Sequence, residues 1–167
     1  MIRQTSVLAA AEHAVVFGSA PDPFGVAHLG LRWRPKDIHF LLDVDGEPTA
    51  HVGVLQHRVE HARPPLQLAG LGGVITAAGA RGQGHASELI EHTIEFANTT
   101  FEADAVLLFC LPRLVTFYER LRFRLVTSPV TIDQPAGHIH APLPVMVRLI
   151  RMREWPDGPF ELGSLPW

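Results

Sequence analysis

The predicted fold depends on one stretch of the sequence, Val74-Ile75-Thr76-Ala77-Ala78-Gly79-Ala80-Arg81-Gly82-Gln83-Gly84-His85-Ala86-Ser87. Its β-branched residues end a strand, and helical spacing of apolar residues begins directly after the glycines. The first amides of a helix have no partner within the helix, and the helix dipole adds partial positive charge there. Because glycine lets a ligand approach the backbone, residues 82–87 predict an anion site at a helix start.

Two nucleotide-binding motifs use the same device, and the sequence fits neither of them. A P-loop needs Gly-Lys followed by Ser or Thr, and the chain has no such run. A dinucleotide fingerprint needs a third Gly or Ala where Ser87 stands. It also needs an acidic residue at the end of the next strand, whereas Asp104 precedes that strand. The anion site is therefore of another kind.

The segments around this turn predict an α/β (mixed α+β) domain. Strands are predicted over residues 38–43, 48–61, 66–76, 105–110, 123–126 and 144–152. Helices are predicted over residues 86–97 and 113–121, the second opened by a proline. Residues 1–20 predict a strand or a short helix followed by a loop, and residues 137–140 a loop. We expect a single central, mostly antiparallel sheet flanked by helices, in one domain over residues 1–167.

Two details within these strands concern turns and close packing. Asp45-Gly46 is a strong hairpin signal between the first two predicted strands. Gly70, Gly72 and Gly73 interrupt the third predicted strand. Glycines inside a strand indicate a bulge or the close approach of another part of the chain.

Composition and charge argue against several classes of protein. Hydrophobic residues make up 47% and charged residues 19% of the chain, which is typical of a packed globular protein. The formal net charge is −3 and Lys36 is the only lysine, so we expect no nucleic-acid partner. Cys110 is the only cysteine, which excludes an internal disulfide. With no secretory pattern and no bilayer-spanning run, we expect a cytoplasmic protein without a membrane partner.

The ten histidines do not follow a metal-binding pattern. Gly137-His138-Ile139-His140 contains the closest pair, and it lies between segments rich in loop residues. Two histidines without further ligands are weak support for a zinc site. We therefore predict no metal site.

The strand, the loop and a later helix together resemble the GNAT (GCN5-related N-acetyltransferase) superfamily. Arg81, Gly84 and Ala86 match its Arg-x-x-Gly-x-Ala pyrophosphate loop, and the strand end at residues 74–76 stands at the expected offset before it. Phe117-Tyr118-Glu119-Arg120-Leu121-Arg122-Phe123 resembles the family's Phe-Tyr-Glu-Lys-Leu-Gly-Phe segment. The resemblance covers residues 66–126.

The resemblance implies an acetyl-CoA-dependent enzyme with backbone-built binding sites. Strand amides would hold the pantetheine arm and polarise the thioester carbonyl, at Val74, Ile75 and Thr76. The loop would hold the pyrophosphate, at Arg81, Gly82, Gln83, Gly84, His85, Ala86 and Ser87. Tyr118 would be the general acid, since a phenol with a pKa near 10 is protonated at neutral pH. The alternative for Tyr118 is an aromatic that only packs its helix onto the sheet.

The general base is not evident from the sequence. Gly72 and Gly73 stand where family members often carry a glutamate. His57 and His61 would share one face of the preceding strand, with Glu60 on the other, and a histidine has a suitable pKa. The interpretation that we favour is that all three are solvated residues at a strand end.

Two further residues depart from the family pattern, and a third bears on covalent catalysis. Leu111 replaces an asparagine seven residues before the tyrosine, and Arg122 replaces the usual glycine after the helix. An acetyl-cysteine intermediate would need Cys110, which is more typical of a buried strand end.

The acceptor is less defined than the donor. The ending Trp155-Pro156-Asp157-Gly158 with Trp167 resembles aminoglycoside 2'-N-acetyltransferases, in which the terminal carboxylate helps form the acceptor site; the alternative is a tail packed on the surface. We expect a small-molecule amine as acceptor, and a non-catalytic acetyl-CoA-binding module is the second hypothesis. The assembly stays open between a monomer and a homodimer, the commonest assembly.

Overall fold

The computed structural model describes residues 1–167 as ten strands and three α-helices. The strands are β1 (Ile2–Thr5), β2 (Ile38–Val44), β3 (Glu47–Val59), β4 (Leu66–Thr76), β5 (Ala105–Phe109), β6 (Arg124–Leu125), β7 (Val130–Gln134), β8 (Gly137–His140), β9 (Val145–Leu149) and β10 (Phe160–Glu161). The helices are α1 (Ala10–Phe17), α2 (His85–Thr99) and α3 (Val115–Arg120), and short 3-10 turns cover Ala27–Leu29, Ala78–Ala80 and Pro112–Leu114.

Seven strands form the central sheet, in the order β1-β2-β3-β4-β5-β9-β6. Only β4 and β5 pair in parallel, and every other pair in this sheet is antiparallel. A parallel pair needs a crossover connection, and α2 supplies it. The three remaining strands form a second sheet in the order β10-β7-β8.

The strand alternation divides the core into two layers on either side of the central sheet. On one face, Leu71 of β4 and Leu108 of β5 pack with Leu89 and Ile90 of α2. On the other face, Leu68 and Leu107 pack with the second sheet and with the chain's final residues, ending at Trp167. Residues two apart in a strand share a face, so one run of apolar residues serves both layers.

The predicted mixed fold is confirmed, and the bounds of β2, β3, β4, α2 and β5 lie close to those expected. Residues 1–20 contain both a strand and a helix. The predicted loop over residues 137–140 is wrong, because this segment is β8, paired with β7 in an antiparallel hairpin. All of β8 is exposed, so the strand has no buried face that could mark its sequence. No helix is long and apolar enough to cross a membrane.

Candidate active site

A cavity of about 760 Å³ opens where β4 and β5 separate. The two strands pair only over Leu68–Gly70 and Ala105–Leu107. Beyond that point the second half of β4 lines one side, and Phe109 and Cys110 line the other. The separation exposes main-chain groups of β4 to a ligand, because a strand without a neighbour leaves its N–H and C=O groups unpaired.

A bulge in β4 accompanies this separation. Gly53 of β3 faces Gly72 and His51 faces Ile75, so two residues of β4 lie opposite one residue of β3. Gly73 has a φ of +63°, in the left-handed region that favours glycine. Three glycines in a predicted strand were the sequence signal for this irregularity.

Two histidines, His51 and His39, form a hydrogen-bonded chain that ends on the bulge. The Nδ1 of His51 donates to the Gly73 carbonyl at 2.6 Å, and His39 Nδ1 lies 2.9 Å from His51 Nε2. Because the carbonyl can only accept, the neutral His51 must accept at Nε2 from the Nδ1–H of His39. Burial lowers the pKa of His51 to about 4, which keeps the ring neutral. Sequence reasoning missed this pair, since nothing local joins residues 39, 51 and 73.

The glycine loop and the start of α2 form an anion site beside the cavity. Gly82 and Gly84 adopt positive φ angles of 77° and 87°, and Arg81 Nε donates to the Thr76 carbonyl at 3.2 Å. No side chain caps α2 at Gly84, and Glu88 is the first residue whose amide bonds to the turn before it, at 3.0 Å. The preceding amides are therefore available to an anion.

The predicted coenzyme-binding residues divide into two groups in space. The cavity wall includes Val74, Ile75, Thr76, Arg81 and Ala86. The others continue from it along the exposed loop and the first turn of α2, at Gly82, Gln83, Gly84, His85 and Ser87. The two groups form one continuous surface from the strand to the helix start.

Tyr118 of α3 lines the same cavity. Its ring packs edge-on against Phe117 and Phe123, at centroid distances of 5.0 and 5.7 Å, and is 5% exposed. Burial raises the pKa of the phenol well above its usual value, with a smaller contribution from Cys110. The hydroxyl makes no hydrogen bond within the chain and is not sealed from the cavity. Tyr118 therefore combines the packing role with a proton that a ligand could reach.

Cys110 lies beside Tyr118 in the cavity wall. Burial raises the pKa of its thiol to about 11, so the sulfur stays protonated at neutral pH. A thiol reacts as a nucleophile only when it is deprotonated. This position disfavours an acetyl-cysteine intermediate.

The loop between α1 and β2 and the chain's last residue also line the cavity. Phe24, Trp33 and Lys36 come from the loop, and Trp167 from the tail. Asp22 shapes the loop by accepting the amides of residues 26 and 27, at 3.1 and 2.8 Å. Of these residues the sequence pointed only to Trp167, through the resemblance of the chain's ending to aminoglycoside 2'-N-acetyltransferases; Phe24, Trp33 and Lys36 were missed, although Lys36 is conspicuous as the only lysine.

The two histidines considered as bases bind the main chain of the tail that leads to the cavity. His57 Nε2 donates to the Leu162 carbonyl at 2.8 Å, and His61 Nε2 to the Glu161 carbonyl at 2.9 Å. The other nitrogen of His57 lies 3.2 Å from Arg34, so both of its nitrogens are occupied. Neither histidine lines the cavity, and both anchor the tail.

No group of three or more His, Cys, Asp or Glu residues could hold a metal ion. His138 of the exposed hairpin contacts Asp133 at 2.8 Å.

Solved structures of acetyltransferases share this fold. YhbS from Escherichia coli, a GNAT family N-acetyltransferase in complex with CoA, has a TM-score of 0.63 at 18% identity, covering 98% of this chain and 89% of that one. ElaA from Escherichia coli has a TM-score of 0.56 at 19% identity, covering 89% and 99%. The ribosomal-protein-S18-alanine N-acetyltransferase from Escherichia coli has a TM-score of 0.55 at 17% identity, covering 92% and 97%.

Sequence comparison agrees with the structural similarity. No curated protein matches the chain. The profile described as "Acetyltransferase (GNAT) family" matches residues 8–123, which is more than half of the chain. The chain therefore belongs to the acetyltransferase (GNAT) family and is an N-acetyltransferase of that type.

Proposed function

We propose that the protein transfers an acetyl group from acetyl-CoA to the primary amine of a small molecule by direct attack on the thioester. One observation carries the proposal: a single cavity joins the anion site at the start of α2, the open half of β4, the Tyr118 side chain and the aromatic pocket around Trp167. Donor, reacting groups and acceptor would then share one space. We further propose that the enzyme is one cytoplasmic domain without nucleic-acid or membrane partners.

The residues of the cavity fit a coenzyme A thioester. The loop amides and Arg81 would bind the pyrophosphate, and the main chain of Val74–Thr76 would bind the pantetheine arm and polarise the carbonyl. Acetyl-CoA supplies an activated acyl group when it is bound. Anion site and open strand end lie next to each other, because only a five-residue turn-forming segment separates Thr76 from Gly82.

The chemistry requires one bond to form and one to break. The acceptor nitrogen attacks the acyl carbon, the carbon–sulfur bond breaks, the amine loses a proton and the sulfur gains one. The Tyr118 hydroxyl would hold the proton for the sulfur, because its raised pKa keeps it protonated across the neutral range.

The test is Tyr118→Phe, which removes the hydroxyl and keeps the ring. Free thiol release, measured over a panel of amines, should fall about 100-fold or more, the usual contribution of a general acid. Binding of acetyl-CoA should change little, so its stabilisation of the melting temperature should persist. The control is Phe117→Leu, which alters the neighbouring aromatic without removing a proton donor.

Unchanged thiol release in Tyr118→Phe would remove this residue from the mechanism. Failure of acetyl-CoA to raise the melting temperature of the wild type would contradict the proposed donor. Stabilisation by acetyl-CoA without thiol release for any amine would contradict the proposed transfer to a small molecule.

A further inference from the structure

The hydrogen bond from His51 to Gly73 fixes the orientation of one peptide group in the cavity wall. His51 Nδ1 donates to the Gly73 carbonyl at 2.6 Å, and His51 is only 3% exposed. A Cβ at Gly73 would come within 3.2 Å of the ring, so the contact needs a glycine for space as well as for the φ of +63°. Because His51 is buried, loss of this acceptor would leave its N–H unpaired and away from water.

The neighbours of the His51 ring keep it from turning away from Gly73. His39 Nδ1 lies 2.9 Å from His51 Nε2, and Phe17 of α1 packs against the ring at a centroid distance of 5.0 Å. A neutral His51 that accepts at Nε2 carries its proton on Nδ1, the atom that faces Gly73. Rotation of the ring would break both hydrogen bonds, so contacts from β2 and α1 set the direction in which His51 donates.

The same peptide group carries the amide of Val74. In a planar trans peptide the C=O and the following N–H point in opposite directions, so the Val74 N–H points away from the His51 ring. β4 lies between β3 and β5 and has no partner strand beyond Gly70 on the β5 side, where Gly73 and Val74 line the cavity. A carbonyl that accepts a hydrogen bond also polarises its peptide group, which makes the N–H a better donor.

We propose that His51 is a positioning residue for acetyl transfer, which orients and polarises the peptide group between Gly73 and Val74 so that the Val74 N–H donates to the thioester carbonyl. This inference rests on the proposed function, which assigns the open half of β4 to the thioester arm. Negative charge grows on the carbonyl oxygen as the acceptor nitrogen attacks, so a well-directed N–H stabilises the transition state more than the bound thioester. Loss of the His51 donor therefore lowers kcat more than it weakens acetyl-CoA binding.

Two substitutions separate the hydrogen bond from the packing of the ring. His51→Asn keeps an N–H donor, because its Nδ2 occupies the position on Cγ that Nδ1 has in histidine, whereas His51→Leu has no donor. The kcat of thiol release, with the best amine of the panel, should fall about tenfold or more in His51→Leu, a part of the cost of losing a whole oxyanion donor. His51→Asn should recover most of this loss, and the KM for acetyl-CoA should change by about twofold at most in both variants.

The control is Ile132→Val, which removes one methyl group from a fully buried position in the second sheet. It weakens the core without contacting the bulge, so its kcat should equal that of the wild type.

Infrared spectroscopy of acetyl-CoA, isotope-labelled at its thioester carbonyl, measures the same contact without turnover. In the absence of an amine, binding to the wild type should move the carbonyl stretch to a lower frequency, because a hydrogen bond weakens the C=O bond. The shift should be smaller in His51→Leu and should persist in His51→Asn and Ile132→Val.

A bound carbonyl that keeps the frequency of free acetyl-CoA in the wild type would overturn the inference, whether or not the variants fold. An unchanged kcat in a folded His51→Leu, or a loss that His51→Asn does not recover, would also overturn it, as would an equal loss in Ile132→Val. Any of these results with thiol release by the wild type would leave the acetyl transfer standing. Failure of acetyl-CoA to stabilise the wild type would instead refute the proposed function itself.

Discussion

Gly70→Ala tests the packing of the tail on the central sheet. A Cβ at Gly70 would come within 2.6 Å of the Cδ2 and Nε1 atoms of Trp167, far inside normal contact, and these are atoms of a rigid ring. Trp167 is 3% exposed and its Nε1 donates to the Leu107 carbonyl at 3.0 Å, so the ring cannot move without losing that bond. The substitution should therefore destabilise the protein, although alanine is otherwise better suited to a strand than glycine.

The expected cost follows from the overlap. Overpacking of a core by one methyl group costs about 1–3 kcal/mol, or a decrease in melting temperature of about 2–12 °C for a chain of this length. Trp167→Ala alone should cost about 3–5 kcal/mol. In the double variant the methyl group has no ring to meet. The loss of stability in the double variant should therefore be about 1–3 kcal/mol smaller than the sum of the losses in the two single variants.

Denaturant unfolding of the four proteins measures this coupling. Gly79→Ala is the matched control, because a Cβ at Gly79 meets nothing within 4 Å, and it should leave the free energy of unfolding nearly unchanged. Costs for Gly70 and Trp167 that add to within about 0.5 kcal/mol would show that the two residues do not touch and would refute the described position of the tail.

Three further predictions concern charge and backbone conformation. Burial lowers the pKa of Lys36 from 10.5 to about 8, so Lys36→Met should stabilise the free protein at pH 7 by up to about 3 kcal/mol, and this gain should shrink between pH 8 and 10.5; equal melting temperatures at pH 7 would contradict it. The pKa of His51 is lowered from 6.5 to about 4, so the unfolded chain binds the extra proton and stability should fall as the pH drops from about 6.5 to 4. In His51→Gln the melting temperature should depend less on pH across this window, and an unaltered pH dependence would exclude His51 as the titrating group. Arg122 has a φ of +64°, so Arg122→Gly should raise the free energy of unfolding by about 1 kcal/mol in urea titrations. A decrease would contradict this and show that the 3.6 Å contact of Arg122 with Glu91 contributes more than the backbone strain costs.

The local structure of the proposed coenzyme site was predictable from the sequence, because its parts are adjacent in the chain. The strand end at Val74–Thr76, the glycines at 82 and 84 and the start of α2 follow one another within about a dozen residues, and local rules of turn and helix formation apply to them. Arg122 also belongs to a local feature, the end of α3. It adopts the left-handed backbone conformation at the position where the family usually has glycine, so the helix end is kept although the residue type differs.

The hairpin of β7 and β8 shows where local rules fail. Its histidine-containing strand is exposed throughout, so no alternation of apolar and polar residues distinguishes it from a loop. Only its pairing with β7, from Thr131–His140 to Gln134–Gly137, makes it a strand.

The local order of residues determined helix α2, the alternating strands and the glycine loop, since periodicity and turn chemistry act over a few positions. The part of the cavity around Lys36 and Trp167 was decided by tertiary contacts alone. Trp167 bonds to Leu107, sixty residues away, and Lys36 lies on Gly53 and Gly72, which belong to two different strands. Such long-range contacts depend on the sheet order and on the tail's path across it, so a residue type without its neighbours could not reveal them.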